Sequence, residues 1–263
     1  MNIKNNEKLF ICDLDGVLVR NDGSIRPEDI EDIRSFINNG GNFIICTGRL
    51  DQDIKYIEDK IGIQGKFRIS QNGAVIKNDK DRIVYHKKIN KEYIPIINKI
   101  VSKHEVRTEI NNVDNRYFPS PRAPEEIAEF VDTSIVKEDL FNYANDNLEP
   151  TIYLNFGTSK QFKEIEEKIK KQLGNKVTVT QTSQTSLEIF SNEASKGKAL
   201  KYVANKLGFK KEEIIVAGDA ESDLTMFPYA GVSFAVGKEA NETVVEAADY
   251  HVMTIEELFT KYL

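Results

Sequence analysis

The stretch "LFICDLDGVLV", Leu9–Val19, decides how the rest of the chain is read. An apolar run, Leu9–Cys12, breaks off into two acids one residue apart, Asp13 and Asp15, and then Gly16. A short continuous apolar run of this kind reads as a strand buried on both faces, as in a parallel sheet. Strand alternation would put Asp13 and Asp15 on one side of the chain, where two carboxylates repel each other. The pair therefore calls for a nearby cation, or for a proton held by one of the two.

Outward from this run, strands and helices alternate. Val17–Ile25 carries Asn21-Asp22-Gly23 between β-branched residues, a hairpin signal. A helix follows from Pro27, with Ile30, Ile33, Phe36 and Ile37 on one face and Gly40 to end it. "NFIICTGR" is the next strand, "DQDIKYIEDKIG" a helix with Ile54, Ile57 and Ile61 in register, and "FRISQNGAVI" a strand running into a turn. This repetition means a parallel sheet with helices packed on it. The pattern changes between residues 84 and 187. Helices ("KEYIPIINKIVSKH", "SKQFKEIEEKIKKQLG") alternate there with half-polar strands ("EVRTEI", "TIYLNF", "KVTVTQT"), around a proline-broken loop, "RYFPSPRAP". Such strands suit a sheet covered on one face and open on the other. The first pattern then resumes with a helix in "SKGKALKYVANKLGF", a strand in "EEIIVAGD", a short helix in "ESDLTMFPYA", a strand in "GVSFAVG" and helices in "NETVVEAADY" and "TIEELFTKYL". The expected organisation is an α/β core domain made of residues 1–83 and 188–263, interrupted by an α+β domain over 84–187.

Composition narrows the function classes. The 263 residues are 40% apolar and 30% charged, enough to bury a sizeable core, and no apolar run approaches the roughly 18 residues of a membrane span. A net charge of −6 argues against a nucleic-acid partner. Cys12 and Cys46 each sit in an apolar run and read as buried thiols. His86, His104 and His251 show no ligand spacing. The N-terminus lacks the apolar segment of a secretory signal, and a cytoplasmic protein is expected.

Three apolar strands end alike: Leu9–Cys12 at Asp13, Phe43–Cys46 at Thr47-Gly48-Arg49, and Ile214–Ala217 at Gly218-Asp219. Ligands of parallel α/β sheets bind beyond the carboxyl ends of the strands. If these strands are neighbours, Asp13, Asp15, Thr47, Asp219 and Asp223 converge there. Such a cluster of hard oxygens suits Mg²⁺, which shares its shell with a substrate phosphate, and a carboxylate facing that phosphate is placed to attack phosphorus. Lys196, at the start of a helix, offers a compensating point charge. Taken singly, each residue has an ordinary explanation: an Asp after a strand is usually a cap or turn former, and Thr47-Gly48 is a common turn. Four motifs in order on matching elements are not explained that way.

The sequence resembles the haloacid dehalogenase (HAD) superfamily, specifically its Cof-like phosphatases with a C2-type (IIB) cap, over nearly the whole chain. "DLDGVL", Asp13–Leu18, is similar to the first motif, with Asp13 at the nucleophile and Asp15 at the general acid/base; "TGR", Thr47–Arg49, to the phosphoryl-binding second; Lys196 in "SKGKAL" to the third; and "GDAESDLTMF", Gly218–Phe227, to the fourth. "QNGA", Gln71–Ala74, fits a turn that recurs before such caps. The resemblance implies a Rossmann-like parallel core and a phosphatase working through an aspartyl-phosphate. It implies Mg²⁺ held by Asp13, Asp15, Asp219 and Asp223, and phosphate bound by Thr47, Gly48, Arg49, Lys196 and Ser222. Asp15 must hold a proton when substrate arrives, then take one from water. Three positions depart from the pattern: Ser222 stands where Asn is usual, Val17 where Thr is commoner, and "VGKEAN" replaces a "GNA" turn. The implied substrate is a small phosphorylated metabolite, sugar phosphates first, with flavin mononucleotide or pyridoxal phosphate next, turned over by a monomer or small homo-oligomer. A phosphomannomutase-like mutase and a non-catalytic phosphate-binding module are the alternatives. Arg116, Tyr117, Phe118 and Arg122 could meet a substrate, but they are read first as a proline-rich surface loop.

Overall fold

The computed structural model describes residues 8–123, 129–183 and 185–262. The chain divides into two compact units, one from residues 1–48, 54–85 and 195–263, the other from 49–53 and 86–194. A return to the core at residue 188 would cut the strand Ser186–Ser191, which pairs on both sides within the second unit's sheet. The crossing therefore falls after it.

The first unit is built on a five-stranded parallel sheet. Its central strand β1 (Leu9–Cys12) lies between β2 (Asn42–Ile45) and β12 (Ile214–Gly218), followed outward by β13 (Val232–Val236) and β14 (Tyr250–Val252). Every residue of β1 is buried, which explains why its sequence is apolar without alternation. The two faces are nevertheless distinct. Leu9 and Ile11 join Ile44, Val216 and, from helix α6 (Lys196–Leu207), Ala199, Leu200 and Val203 in one core. Phe10 points the other way, into an aromatic cluster with Phe36, Phe43 and Phe259 at centroid distances of 5.4–6.3 Å. Helix α1 (Pro27–Asn38) supplies Phe36, and α8 (Ile255–Tyr262) supplies Phe259. Beyond β2, helix α2 (Asp51–Ile61) follows in the chain, and a bridge between Cys46 and Ile69 leads to a three-stranded sheet of β3 (Phe67–Ser70), β4 (Val75–Asn78) and β5 (Ile83–His86).

The hairpin expected over Val17–Ile25 is a turn without paired strands. Leu18 and Val19 both donate to the Leu14 carbonyl (3.0 and 2.7 Å), and Arg20 donates to that of Ser24 (2.9 Å). Leu14, Val17, Leu18 and Val19 are all buried, so the segment coils back onto the core instead of extending. Asp13 thus lies past the end of β1 and Leu14 in a turn, which removes the strand geometry used above to align Asp13 with Asp15.

The second unit carries a six-stranded sheet in the order β10 (Val177–Ser183), β11 (Ser186–Ser191), β9 (Ile152–Phe156), β6 (Arg107–Asn111), β7 (Arg116–Phe118), β8 (Ser134–Val136). Helices α3 (Ile94–Val101), α4 (Leu140–Asn147) and α5 (Ser159–Leu173) pack on it through Ile97, Leu140, Phe162 and Ile165, against Ile110, Tyr153 and Ile189 of the strands. Thr158 and Gln161 cap α5 reciprocally. Glu109, Asn111, Arg116 and Glu188 alternate with these inward-facing strand residues, yet they are buried, not solvated as an open face requires.

The residues placed on a surface loop are also corrected. Arg116–Phe118 is a strand, with Arg116 and Phe118 only 4% and 1% exposed. Arg116 reaches Asp53 Oδ2 at 2.5 Å, Glu129 at 3.1 Å and Glu109 at 3.7 Å. Arg122 pairs with Glu129 at 2.6 Å and lies over the Phe118 ring. Asp53 is fully buried and also accepts from the backbone N–H groups of Phe130 and Val131, both at 3.0 Å. Removing one partner from such a buried network strands the others' charges. Arg116→Ala should destabilise the protein by about 3–5 kcal/mol, read as a lower denaturant midpoint. Among the described residues, no helix is long and apolar enough to cross a membrane.

Candidate active site

The register of the parallel sheet explains why the acids meet. Cys12 pairs with Ala217 on one side and Ile45 on the other, so three strands end level. Asp13, Thr47 and Asp219 follow those ends. Asp13 extends the ladder by donating its N–H to the Ala217 carbonyl (2.9 Å), and Cys46 does the same to that of Cys12 (2.9 Å).

Side-chain oxygens of Asp13, Asp219 and Asp223 lie within 4.8 Å of one another. Lys196 is inserted among them, its Nζ 2.9 Å from Asp13 Oδ1 and 2.7 Å from Asp223 Oδ1. It is only 2% exposed. Ser195 caps the start of α6 by accepting from the Lys198 N–H (3.1 Å), which fixes the turn that carries Lys196. The second oxygen of Asp223 accepts from the N–H groups of Asp219 and Ala220 (3.1 and 3.0 Å). Asp223 is thus committed to holding Lys196 and the backbone of the Asp219 loop. The carbonyl of Asp219 accepts from the Asn241 N–H (2.8 Å), at the start of helix α7 (Glu242–Ala247).

Three carboxylates against one ammonium leave an excess of buried negative charge. Burial, then Asp223, push the Asp13 carboxyl well above its usual range, while Lys196 pulls it down. Burial alone would lower Lys196, but Asp13 and Asp223 overcome this and hold its ammonium above the ordinary lysine value. Asp219 is pushed up to about 7, by burial first and then by Asp223.

The donor set fits a hard divalent cation on an observation of its own. Among the described residues, Asp219 Oδ1 is buried without a hydrogen-bond partner, a costly state for a carboxylate oxygen unless a cation meets it. Room for this arrangement depends on Gly16, whose φ of +80° suits glycine and where a Cβ would collide with Asp219 Oδ2. Between about pH 4 and 7 the folded, metal-free protein holds the Asp219 proton that the unfolded chain has lost. Its stability should therefore fall as pH rises through that window. A divalent cation held by these acids should remove this fall and, on binding at pH 6, release protons, measured by calorimetry in buffers of different ionisation enthalpy.

The other expected residues are distributed as follows. Asp15 is exposed, and its side chain is outside the three-carboxylate group, although its charge reaches Asp219. Thr47 is buried and donates its N–H to the Ile69 carbonyl (3.0 Å). Gly48 faces the amide of Asn72, whose Oδ1 stands 3.1 Å from where a Cβ on Gly48 would be. Ser222 begins the turn in which its carbonyl accepts from Thr225 Oγ1 (2.8 Å). Arg49 groups with the second unit, its guanidinium over the Phe130 ring at 4.3 Å and 4.0 Å from Asp53. Residues 236–240 of the "VGKEAN" segment line a cavity of about 490 Å³ that Asp219, Gly16 and Arg20 also border. Two features escaped sequence reasoning. Asp53 as the anchor of the second unit's ion network gave no signal, being an acid in an acidic helix start. The strained turn at Gln71-Asn72 was visible only as a motif.

A profile of the haloacid dehalogenase-like hydrolases matches residues 10–257. Among curated proteins, a 5-amino-6-(5-phospho-D-ribitylamino)uracil phosphatase of Bacillus subtilis is 25% identical, over 92% of this chain and 88% of its own. A second phosphatase of that organism is 28% identical, over 95% and 96%. Among solved structures, a protein of Thermotoga maritima superposes with a TM-score of 0.82 at 26% identity, over 97% of this chain and 95% of its own.

Proposed function

The chain belongs to the haloacid dehalogenase-like hydrolases, and from that premise we propose a Mg²⁺-dependent phosphomonoesterase acting on small phosphorylated metabolites, sugar phosphates first, in the cytoplasm. One observation carries the reading: a buried Asp13 clamped by Lys196, beside an Asp219 with an unpartnered oxygen. Among the described residues, the hydrogen bond and ion pair of the Asp13 side chain fall on Oδ1, which takes the Leu14 N–H at 2.7 Å and Lys196 at 2.9 Å. That leaves Oδ2 to attack.

In the first step, Oδ2 of Asp13 forms a bond to phosphorus, and the bond from phosphorus to the ester oxygen breaks. Asp15 gives its proton to the departing alkoxide. In the second step, Asp15 takes a proton from water as the water oxygen bonds to phosphorus. The bond to Asp13 then breaks and inorganic phosphate leaves. An exposed Asp15 suits this shuttle, because it must reach both a leaving group and water. Lys196, the Thr47 hydroxyl, the Gly48 N–H and Ser222 are assigned to the phosphoryl oxygens, where charge must be balanced. Mg²⁺, held by Asp13 and Asp219 with the Asp15 backbone carbonyl and support from Asp223, would neutralise the acids and draw charge from the phosphoryl group.

The test is release of inorganic phosphate from a panel of phosphorylated metabolites. Turnover should vanish with EDTA and return with Mg²⁺; indifference to both removes the metal. Isomerised sugar phosphate without free phosphate would establish the mutase instead. Binding of vanadate with no turnover of any ester would establish the non-catalytic module.

A further inference from the structure

Three consecutive residues carry positive φ: Gln71 (52°), Asn72 (54°) and Gly73 (83°). This left-handed backbone is natural for glycine, tolerated by asparagine and unfavourable for glutamine. All three residues are buried, Gln71 completely and Asn72 to 5% exposure. Strain in a buried turn persists only where the surroundings impose it, and here both sides of the turn are engaged. On one side, Asn72 donates its N–H to the Thr47 carbonyl (3.0 Å), and its amide packs over Gly48. On the other, Gly73 is pressed against α6, where any Cβ would strike the Ser195 carbonyl and meet Ala199 Cβ at 2.9 Å. Ser195 is the residue that caps α6 and precedes Lys196. The turn therefore spans from the Thr47-Gly48 loop to the residue next to Lys196, with no slack at either end.

We infer that Asn72 is a positioning residue for phosphoryl transfer, acting as a spacer that fixes the Thr47-Gly48 donors relative to the Lys196 ammonium. This rests on the phosphatase reading above. Both groups it spaces are assigned to the same phosphoryl oxygens, so a small error in their separation weakens both contacts in the transition state. Ground-state binding, which tolerates looser geometry, is affected less.

The experiment compares wild type, Asn72→Gly and Asn72→Asp, with p-nitrophenyl phosphate as substrate and vanadate as the transition-state mimic. Asn72→Gly keeps the backbone permitted and removes the amide. It should melt close to wild type, lose about 100-fold in kcat, the scale for a displaced catalytic group, and leave KM nearly unchanged. Asn72→Asp keeps both the shape and the backbone tolerance, so it guards against a misfolded first variant. It should still unfold cooperatively, at a melting temperature lowered by the buried carboxylate, and with that carboxylate against Gly48 it should bind vanadate about tenfold or more weakly. Wild-type kcat and vanadate affinity in the two folded variants would overturn the inference. An equal loss of kcat and of inorganic-phosphate affinity would also do so, since a spacer acts on the transition state. Failure of wild type itself to hydrolyse any ester or bind vanadate is a different result, and overturns the phosphatase reading together with this one.

Discussion

Asp13→Asn should abolish phosphate release from every substrate the wild type accepts, leaving less than about one part in 10⁴ of kcat, the scale on which enzymes lose a nucleophile. The change is nearly isosteric, so it tests chemistry and not packing. An amide oxygen cannot form the acyl-phosphate at a useful rate. The fold should survive, and stability should rise in the metal-free protein. Asp13 is one of three clustered acids, two of them buried, beside the Lys196 ammonium, and its carboxyl is pushed well above its usual range by burial and by Asp223. Removing that charge relieves repulsion within the group. A rise in melting temperature together with lost turnover is thus the expected pair of results. A variant with wild-type turnover, in a preparation free of contaminating phosphatase, would sink the mechanism.

Lys196→Ala should be nearly as damaging, for two separable reasons. The ammonium lies 2.9 Å from Asp13 and 2.7 Å from Asp223, and it is buried with them. Without it, the charge proposed to meet the phosphoryl oxygens is gone, which should lower kcat about 10²–10³-fold. The two acids also lose their buried cation, at a stability cost of about 3–5 kcal/mol. The two effects separate by pH. Lys196 pulls the Asp13 carboxyl down. In its absence that carboxyl protonates at higher pH, and the acidic limb of the residual pH–rate profile should move to higher pH. An unshifted limb would mean that Lys196 does not set the charge of the nucleophile.

Much of this was legible in the chain. The strands β1, β2 and β12 announce themselves as apolar runs because a central parallel strand is buried on both faces. Each ends at a residue no core would accept, Asp13, Thr47 or Asp219, and that abrupt change of chemistry marks the edge where ligands bind. Asp53 and Arg116 were not legible: they are separated by 63 positions, and neither sits in a pattern that demands the other. Prolines follow Arg116–Phe118 and read as loop, but pairing with a strand on either side and a buried ion network override that local signal.

The opening pair of acids shows where the division falls. By itself the sequence determined that Asp13 and Asp15 end a buried strand and need compensation, because like charges repel wherever the chain puts them. It did not determine how they are disposed. The chain leaves the strand at Cys12 and turns through Leu14, so Asp13 is buried and Asp15 exposed. The level ends of three strands then bring Asp219 and Asp223 to Asp13, while a helix capped at Ser195 delivers Lys196 from far along the sequence. Only the register of the sheet and the packing of that helix could decide this, since both set distances between residues whose separation along the chain carries no information about contact.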